Sequence, residues 1–251
     1  MRQSSAPSVE KPSPSRQLSV VIPTFNEREN IAILLPQIQR VFKANNIDGE
    51  IVVADDSSSD GTRETLRSLA ETMPTLVVHL RSGPPSLARS WFEGFDLASK
   101  ENIVCIDADL CHDPECFPMM LSLMGKNDIV IGSRYLDGQM MKDKSRLAIY
   151  ASFLGRFLTR LATGFPETDT SHSFRMFKKS VFDAIKPRLI NEGNVFLVEF
   201  LIHAKREGFS VTEIPIIYGK RIHGETKLRL FRESVRYLRF ITKVITARLC
   251  S

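Results

Sequence analysis

Three apolar runs of the 251-residue chain end in acidic or polar turns: Pro23-Thr-Phe-Asn-Glu27, Asp55-Asp-Ser-Ser-Ser-Asp-Gly61, and Asp107-Ala-Asp109. Two carboxylates spaced two residues apart at the end of a strand project to the same side of the pleat. Asp107 and Asp109 are therefore placed to share a divalent cation and bridge it to phosphate oxygens. Taken singly, each acid reads as a cap for the helix or turn that follows. Three such strand ends in succession are more than a fold requires.

The elements that must position these turns are short and apolar. Residues 18–22, 51–54, 76–80, 103–106 and 128–132 read as buried strands, most of them rich in β-branched residues. Helices follow the first three: one reaching about residue 42 behind a capping box Asn26-x-x-Glu29, one over residues 62–72 and one over 86–98. Uninterrupted apolar strands alternating with helices predict a parallel sheet covered on both faces. Ligands of such sheets bind at the carboxyl ends of the strands, where the acids lie.

Composition bounds the rest. With 43% hydrophobic and 25% charged residues, four Cys and one Trp, the chain is neither disordered nor a disulfide scaffold. The net charge of +5 is unevenly spread: residues 219–251 hold nine Lys and Arg against Glu225 and Glu233, and residues 1–17 are basic too, leaving residues 18–218 net acidic. A nucleic-acid-binding body is not expected from that distribution. No uncharged apolar run approaches the length of a spanning helix, and the Ser/Pro-rich start lacks the apolar region of a secretory signal. Cys105, Cys111, Cys116 and Cys250 form no CxxC pair, which fits a reducing compartment. The expected organisation is a lead-in over 1–17, one domain over 18–227 and a basic amphipathic helix over 228–251.

PTFNE, DDSSSDGT and DADLCHDPE, in this order and spacing, resemble the family 2 inverting glycosyltransferases of the GT-A fold, a Rossmann-like α/β architecture. Gly132-Ser-Arg-Tyr135, Ser145-Arg146, Asp169-Thr-Ser-His-Ser-Phe-Arg175 and Arg221-x-x-Gly-x-Thr-Lys227 are similar to the polyprenol (dolichol) phosphate mannose synthase branch. The resemblance implies that Pro23, Phe25 and Glu27 surround the base and ribose of a nucleotide sugar. It sets Asp55 toward the nucleoside and Asp56 in support of the loop. Asp109 becomes the direct ligand of Mg2+ or Mn2+, with Asp107 nearer the ribose or sugar. Arg134 and Arg146 receive the acceptor phosphate, and Arg221 and Lys227 clamp the donor diphosphate. GDP-mannose is the donor so implied; a UDP-sugar donor, a saccharide-hydroxyl acceptor and a nucleotide-sugar sensor without turnover are the alternatives.

Physical chemistry agrees with a phosphate acceptor. A lipid monophosphate is largely ionised near neutral pH, its second pKa being about 6, so it needs guanidinium groups to hold it rather than a base. A hydroxyl acceptor needs a carboxylate base. The only Trp, Trp91, falls inside the third expected helix, so the QxxRW signature of processive synthases is absent. Departures from the family pattern are Phe25 for a common Tyr, Cys111 two residues after Asp109, His172 and Ser173 at small-residue positions, and Gly83-Pro-Pro-Ser-Leu-Ala88 for a glycine-rich stretch.

A lipid acceptor requires a membrane seat. Residues 147–165, apolar apart from Arg156 and Arg160, are one candidate. In the C-terminal helix, Arg229, Arg232, Arg236, Arg239 and Lys243 fall on one side and Phe231, Val235, Leu238, Ile241 and Ile245 on the other, the pattern of a surface-lying anchor. The same face would serve a small membrane-anchoring partner. The expected location is peripheral, at the cytosolic face of a membrane.

Overall fold

The computed structural model describes residues 15–136, 146–190, 193–219 and 230–249. Its elements in chain order are β1 (Gln17–Thr24), α1 (Arg28–Ala44), β2 (Asp48–Asp55), α2 (Thr62–Thr72), β3 (Leu76–Leu80), α3 (Leu87–Leu97), β4 (Asn102–Cys105), α4 (Phe117–Met124), β5 (Ile129–Ser133), α5 (Arg146–Thr163), β6 (Arg175–Lys178), α6 (Lys179–Ile185), α7 (Val195–Arg206), β7 (Val211–Pro215) and α8 (Leu230–Leu249).

All seven strands join one sheet in the order β3-β2-β1-β4-β6-β5-β7. β1 to β4 run parallel, as their unbroken apolar sequences predict. β6 then enters antiparallel between β4 and β5, with Met176 opposite Val104 on one side and Val130 on the other. β7 lies parallel to β5 at the edge. Pleat alternation divides the core: Val20 and Ile22 pack with α1 and α4, whereas Val21 packs with Trp91 and Phe95 of α3.

Two expectations need correction. The capping box at Asn26 is not made: Asn26 has φ 56°, and its Oδ1 accepts the Ser59 N–H at 2.8 Å. The loop after β2 competes successfully for that side chain, and helix α1 begins at Arg28 without a side-chain cap. The C-terminal helix also differs from a free anchor. Phe240 and Ile241 are buried against Ala162 of α5 and Val195, Val198 and Ile202 of α7, with Tyr237, Val244 and Ile245 packed around them. Of the face expected on lipid or on a partner, Ile241 is buried and Ile245 packs against protein, whereas Leu238 stays 52% exposed and the Phe231 side chain lies outside the described residues. Tyr237 Oη donates to the Gly155 carbonyl at 2.9 Å, and Glu233 accepts the Asn194 N–H at 3.0 Å.

The larger exposed apolar stripe lies on α5, where Phe153, Leu154, Phe157 and Leu161 are each between 55% and 65% accessible. Among the described residues no helix is long and apolar enough to cross a membrane.

Candidate active site

A cavity of about 510 Å³ opens at the carboxyl ends of β1, β2, β4 and β5. From β1 come Pro23, Thr24, Phe25 and Glu27; Asp56 follows β2, Ser86, Ser90 and Trp91 belong to α3 and its cap, and Asp107 and Asp109 follow β4. Arg134 follows β5, and Ser171, His172 and Ser173 precede β6. Asn194 and Leu197 of the α7 start, and Tyr218 beyond β7, complete it. One cavity therefore gathers Pro23, Phe25, Glu27, Asp56, Asp107, Asp109 and Arg134 of the sequence-predicted set.

Asp55 is not among the lining residues. It is fully buried, accepting hydrogen bonds from Thr24 Oγ1 at 3.1 Å, the Ser58 N–H at 3.1 Å and Arg63 Nε at 2.7 Å. Its neighbour Asp56 faces the cavity, with one oxygen on Arg81 and the other on the Ser86 N–H at 2.6 Å. Burial pushes the Asp56 carboxyl above its ordinary value despite those two donors. Arg81, itself buried, goes on to Glu93 at 3.1 Å, and Glu93 meets His79 at 2.7 Å. Arg81 went unpredicted although a charge directly after β3 carries the same signal as the acids after β1, β2 and β4.

At the acidic pair, Asp107 Oδ2 accepts from Ser173 Oγ at 2.7 Å, and Asp109 Oδ1 accepts from the Cys111 N–H at 3.1 Å. Leu110 between them has φ 63°, which turns the chain sharply after Asp109. Both carboxylates line the cavity and offer hard oxygen donors, which suit Mg2+ or Mn2+. Among the described residues no three His, Cys, Asp or Glu side chains converge as a preformed metal cage.

Arg134 closes the other end. It grips Asp169 with both Nε (2.7 Å) and Nη2 (2.8 Å), and its N–H adds a third bond at 3.2 Å. Burial alone would lower the guanidinium pKa, but the Asp169 carboxylate outweighs it and raises it. Asp169 is oriented in turn by Glu213, which accepts the Asp169 N–H at 2.9 Å and the Thr168 N–H at 2.8 Å. Arg175, buried and, among the described residues, without a carboxylate at hydrogen-bond distance, donates to the carbonyls of Thr170, His172 and Leu197, and burial brings its pKa down to about 10.

Arg146 begins α5, but its side chain lies outside the described residues, as do Arg221 and Lys227. His112, His172 and Tyr218 form an aromatic cluster against Phe174. His112 and Tyr218 were not predicted, because nothing in their local sequence marks them as neighbours.

The model of the family described as glycosyl transferase family 2 matches residues 19–186, from β1 through α6. The chain belongs to that family. The match spans the acidic strand ends and both partners of the Arg134–Asp169 pair.

Two relatives extend the likeness past the family segment. The dolichol-phosphate mannosyltransferase of Pyrococcus furiosus is 32% identical over 234 residues, covering 91% of this chain and 64% of that protein. The protein of the same name from Mycosarcoma maydis is 29% identical over 216 residues, covering 84% and 73% respectively. The chain thus spans just under two thirds of the archaeal relative's length.

Among solved structures, the glucosyl-3-phosphoglycerate synthase of Mycobacterium tuberculosis with UDP superposes with a TM-score of 0.68 at 18% identity, covering 92% of this chain and 80% of that one. The same enzyme with Mn2+, UDP and phosphoglyceric acid gives 0.66 at 18% identity, covering 93% and 78%. At that identity the likeness establishes the GT-A fold.

Proposed function

We propose that this family 2 member moves one mannose from GDP-mannose, with inversion, onto a polyprenyl phosphate at the cytosolic face of a membrane. The observation that carries the reading is the joint placement of the acidic pair and Arg134 in one cavity, with Phe25, Glu27 and Asp56 on the wall toward β1 and β2. The names of both relatives support the mannosyl and dolichyl-phosphate assignments.

Asp107 and Asp109 would hold Mg2+ or Mn2+ together with diphosphate oxygens of the donor. When bound, the cation neutralises charge developing on the nucleoside diphosphate leaving group. Arg221 and Lys227 belong to the same clamp by family resemblance. Phe25, Glu27 and Asp56 take the nucleoside, while Asp55 braces the loop from within.

At the acceptor end Asp169 spends Nε and Nη2 of Arg134, so the guanidinium is fixed in plane and Nη1 points away from the pair. That nitrogen, with Arg146, receives the lipid phosphate. No base is demanded of the protein, since the phosphate arrives ionised. The carboxylates on the cavity wall are Glu27, Asp56, Asp107 and Asp109. Asp56 is tied to Arg81 and Ser86, Glu27 accepts from Asn30 at 2.7 Å, and the remaining two serve the cation.

The α5 stripe gives the lipid a seat. Phe153, Leu154, Phe157 and Leu161 are solvent-exposed on the helix that starts at Arg146, and the same helix carries Arg156 and Arg160. Apolar side chains with adjacent cations fit an anionic bilayer surface.

The test incubates the full chain with labelled GDP-mannose or UDP-glucose, Mg2+ or Mn2+, and a polyprenyl phosphate in anionic vesicles. Label is expected in the organic phase from GDP-mannose and a loss of at least about 100-fold in Asp109→Ala, the size typical of removing a main electrostatic stabiliser. No label with either donor, or equal label from Asp109→Ala, overturns the reading; label from UDP-glucose alone reassigns the donor. Phe157→Asp should lose label with the vesicle acceptor and keep it with a short, water-soluble one. Wild-type binding of that variant to protein-free vesicles would hand the stripe to a partner subunit.

A further inference from the structure

Two buried imidazoles beside the cavity have no part in that scheme. His112 lies three residues after Asp109, His172 lies in the loop before β6, and their Nε2 atoms are 3.1 Å apart. His172 Nδ1 is 2.7 Å from the Gly132 carbonyl oxygen. A carbonyl only accepts, so this Nδ1 carries a proton. A neutral imidazole has a single N–H, so His172 Nε2 presents a lone pair and His112 Nε2 holds the proton between the rings. His112 Nδ1 is left as a lone-pair nitrogen, and among the described residues it is buried with no hydrogen-bond partner.

The surroundings keep both rings neutral. His112 is 3% and His172 4% exposed. The His112 ring stacks on Phe174 at 4.9 Å and 8°, and Tyr218 meets both rings edge-on at 5.3 and 5.7 Å. Burial lowers the pKa of each; Arg134 and Arg175 add to the effect at His172, and at His112 the opposing pull of Asp109 is outweighed.

We propose that His112 and His172 form a proton-ordered pair of opposite tautomers, and that His172 is a specificity-determining residue acting through shape alone. The inference rests on the cavity holding a nucleotide sugar, as proposed above. With both nitrogens engaged, the imidazole of His172 on the cavity wall cannot take a proton, ligate a cation or bond a sugar hydroxyl. It shows the cavity carbon. The ring is also held from both sides, by the backbone two residues before Arg134 and by the side chain three residues after Asp109. A sugar entering between the acids and Arg134 meets a fixed apolar edge, which favours an unsubstituted hexose over one carrying an added group.

Two measurements on the full chain test this. Long-range proton–nitrogen NMR at pH 7 on protein labelled with 15N-histidine should show one Nδ1-protonated and one Nε2-protonated neutral ring, assigned by their loss in His172→Ala and His112→Phe. Two rings of the same tautomer, or a charged ring, overturn the pair. Trp91 is the only tryptophan and lines the cavity, so its fluorescence reports occupancy. With Mg2+, wild type should bind GDP-mannose more tightly than its 2-acetamido-2-deoxy analogue, and His172→Ala should shrink that ratio at least tenfold. His112→Phe keeps the stack on Phe174 but frees the His172 ring, and should shrink it partway. An unchanged ratio in both variants overturns the shape role. Failure of the wild type to bind either nucleotide sugar would sink the nucleotide-sugar reading and this specificity role with it, while the tautomer result stands apart.

Discussion

The end of the cavity near β1 and β2 and the end near Arg134 present similar numbers of charges, arranged by different means. At the first, the direction of each acid follows from the backbone. Asp107 and Asp109, two apart, both reach the cavity; Asp55 and Asp56, adjacent, diverge, and only Asp56 lines it. At the second, an antiparallel strand interrupts the parallel order, and buried groups hold one another: Arg134 on Asp169, Asp169 and Thr168 on Glu213, Arg175 on three carbonyls. Strand geometry survives loss of a charge, whereas a network of mutual partners does not.

The largest effect should therefore fall on Asp169→Asn. Asp169 is fully buried and the Arg134 side chain is only 12% exposed at the cavity wall, so the substitution leaves a largely desolvated cation without its counterion. Breaking a buried pair in this way costs about 3–5 kcal/mol. Asp109→Asn, which relieves repulsion beside Asp107, should stay within about 1 kcal/mol of wild type. Urea unfolding of both variants checks the contrast; equal losses would erase it.

The same division governs what the sequence makes legible. Strands β1 to β5 announce themselves as apolar runs, and the acids at their ends locate the cavity before any coordinates. β6 does not, because its four residues begin with Arg175, and a charged residue at the head of a short strand reads as loop. Only the interior that forms around it, with three backbone carbonyls as acceptors, explains its burial. Asp55 and Asp56 were distinguishable by the period of two, yet their roles were assigned from the motif. The α8 stripe was a true amphipathic pattern; periodicity reports that a face is buried without saying whether protein or lipid buries it. Asp169, His112 and Tyr218 belong to the site through long-range packing, which no local pattern encodes.

Acid offers a second, smaller way to separate the two ends. Unfolded imidazoles protonate near 6.5, whereas burial holds His112 down to about 4 in the fold, with His172 also depressed. The native state therefore binds fewer protons, so stability is complete above about pH 6.5 and falls as pH drops toward 4. One site over that range accounts for about 3 kcal/mol. Asp109 eases protonation of His112, while Arg134 opposes it at both rings and Arg175 at His172. At the other end Asp56 has the opposite sign: its raised pKa means that acid relieves a cost of ionisation. Urea midpoints between pH 7 and 5 should fall for wild type and fall less for His112→Phe. A flat profile in wild type would remove the distinction.

The smallest effect belongs to the end set by backbone. Helix α3 lies so close to the sheet that a Cβ on Gly94 would come within 2.4 Å of Val21 Cγ1 and 3.9 Å of the Ala54 side chain. Overpacking of this kind costs about 1–3 kcal/mol, and the gain in helix propensity from Gly to Ala returns about 1 kcal/mol. Gly94→Ala should therefore lose at most about 2 kcal/mol. No ionisable group is involved, so that loss should be the same at pH 5 and pH 8. Val21→Ala removes the atom in the way, so the double variant should be less destabilised than the sum of the singles, by about 0.5 kcal/mol or more. Strict additivity would mean that the helix simply shifts outward, and that the first end is as compliant as the second is rigid.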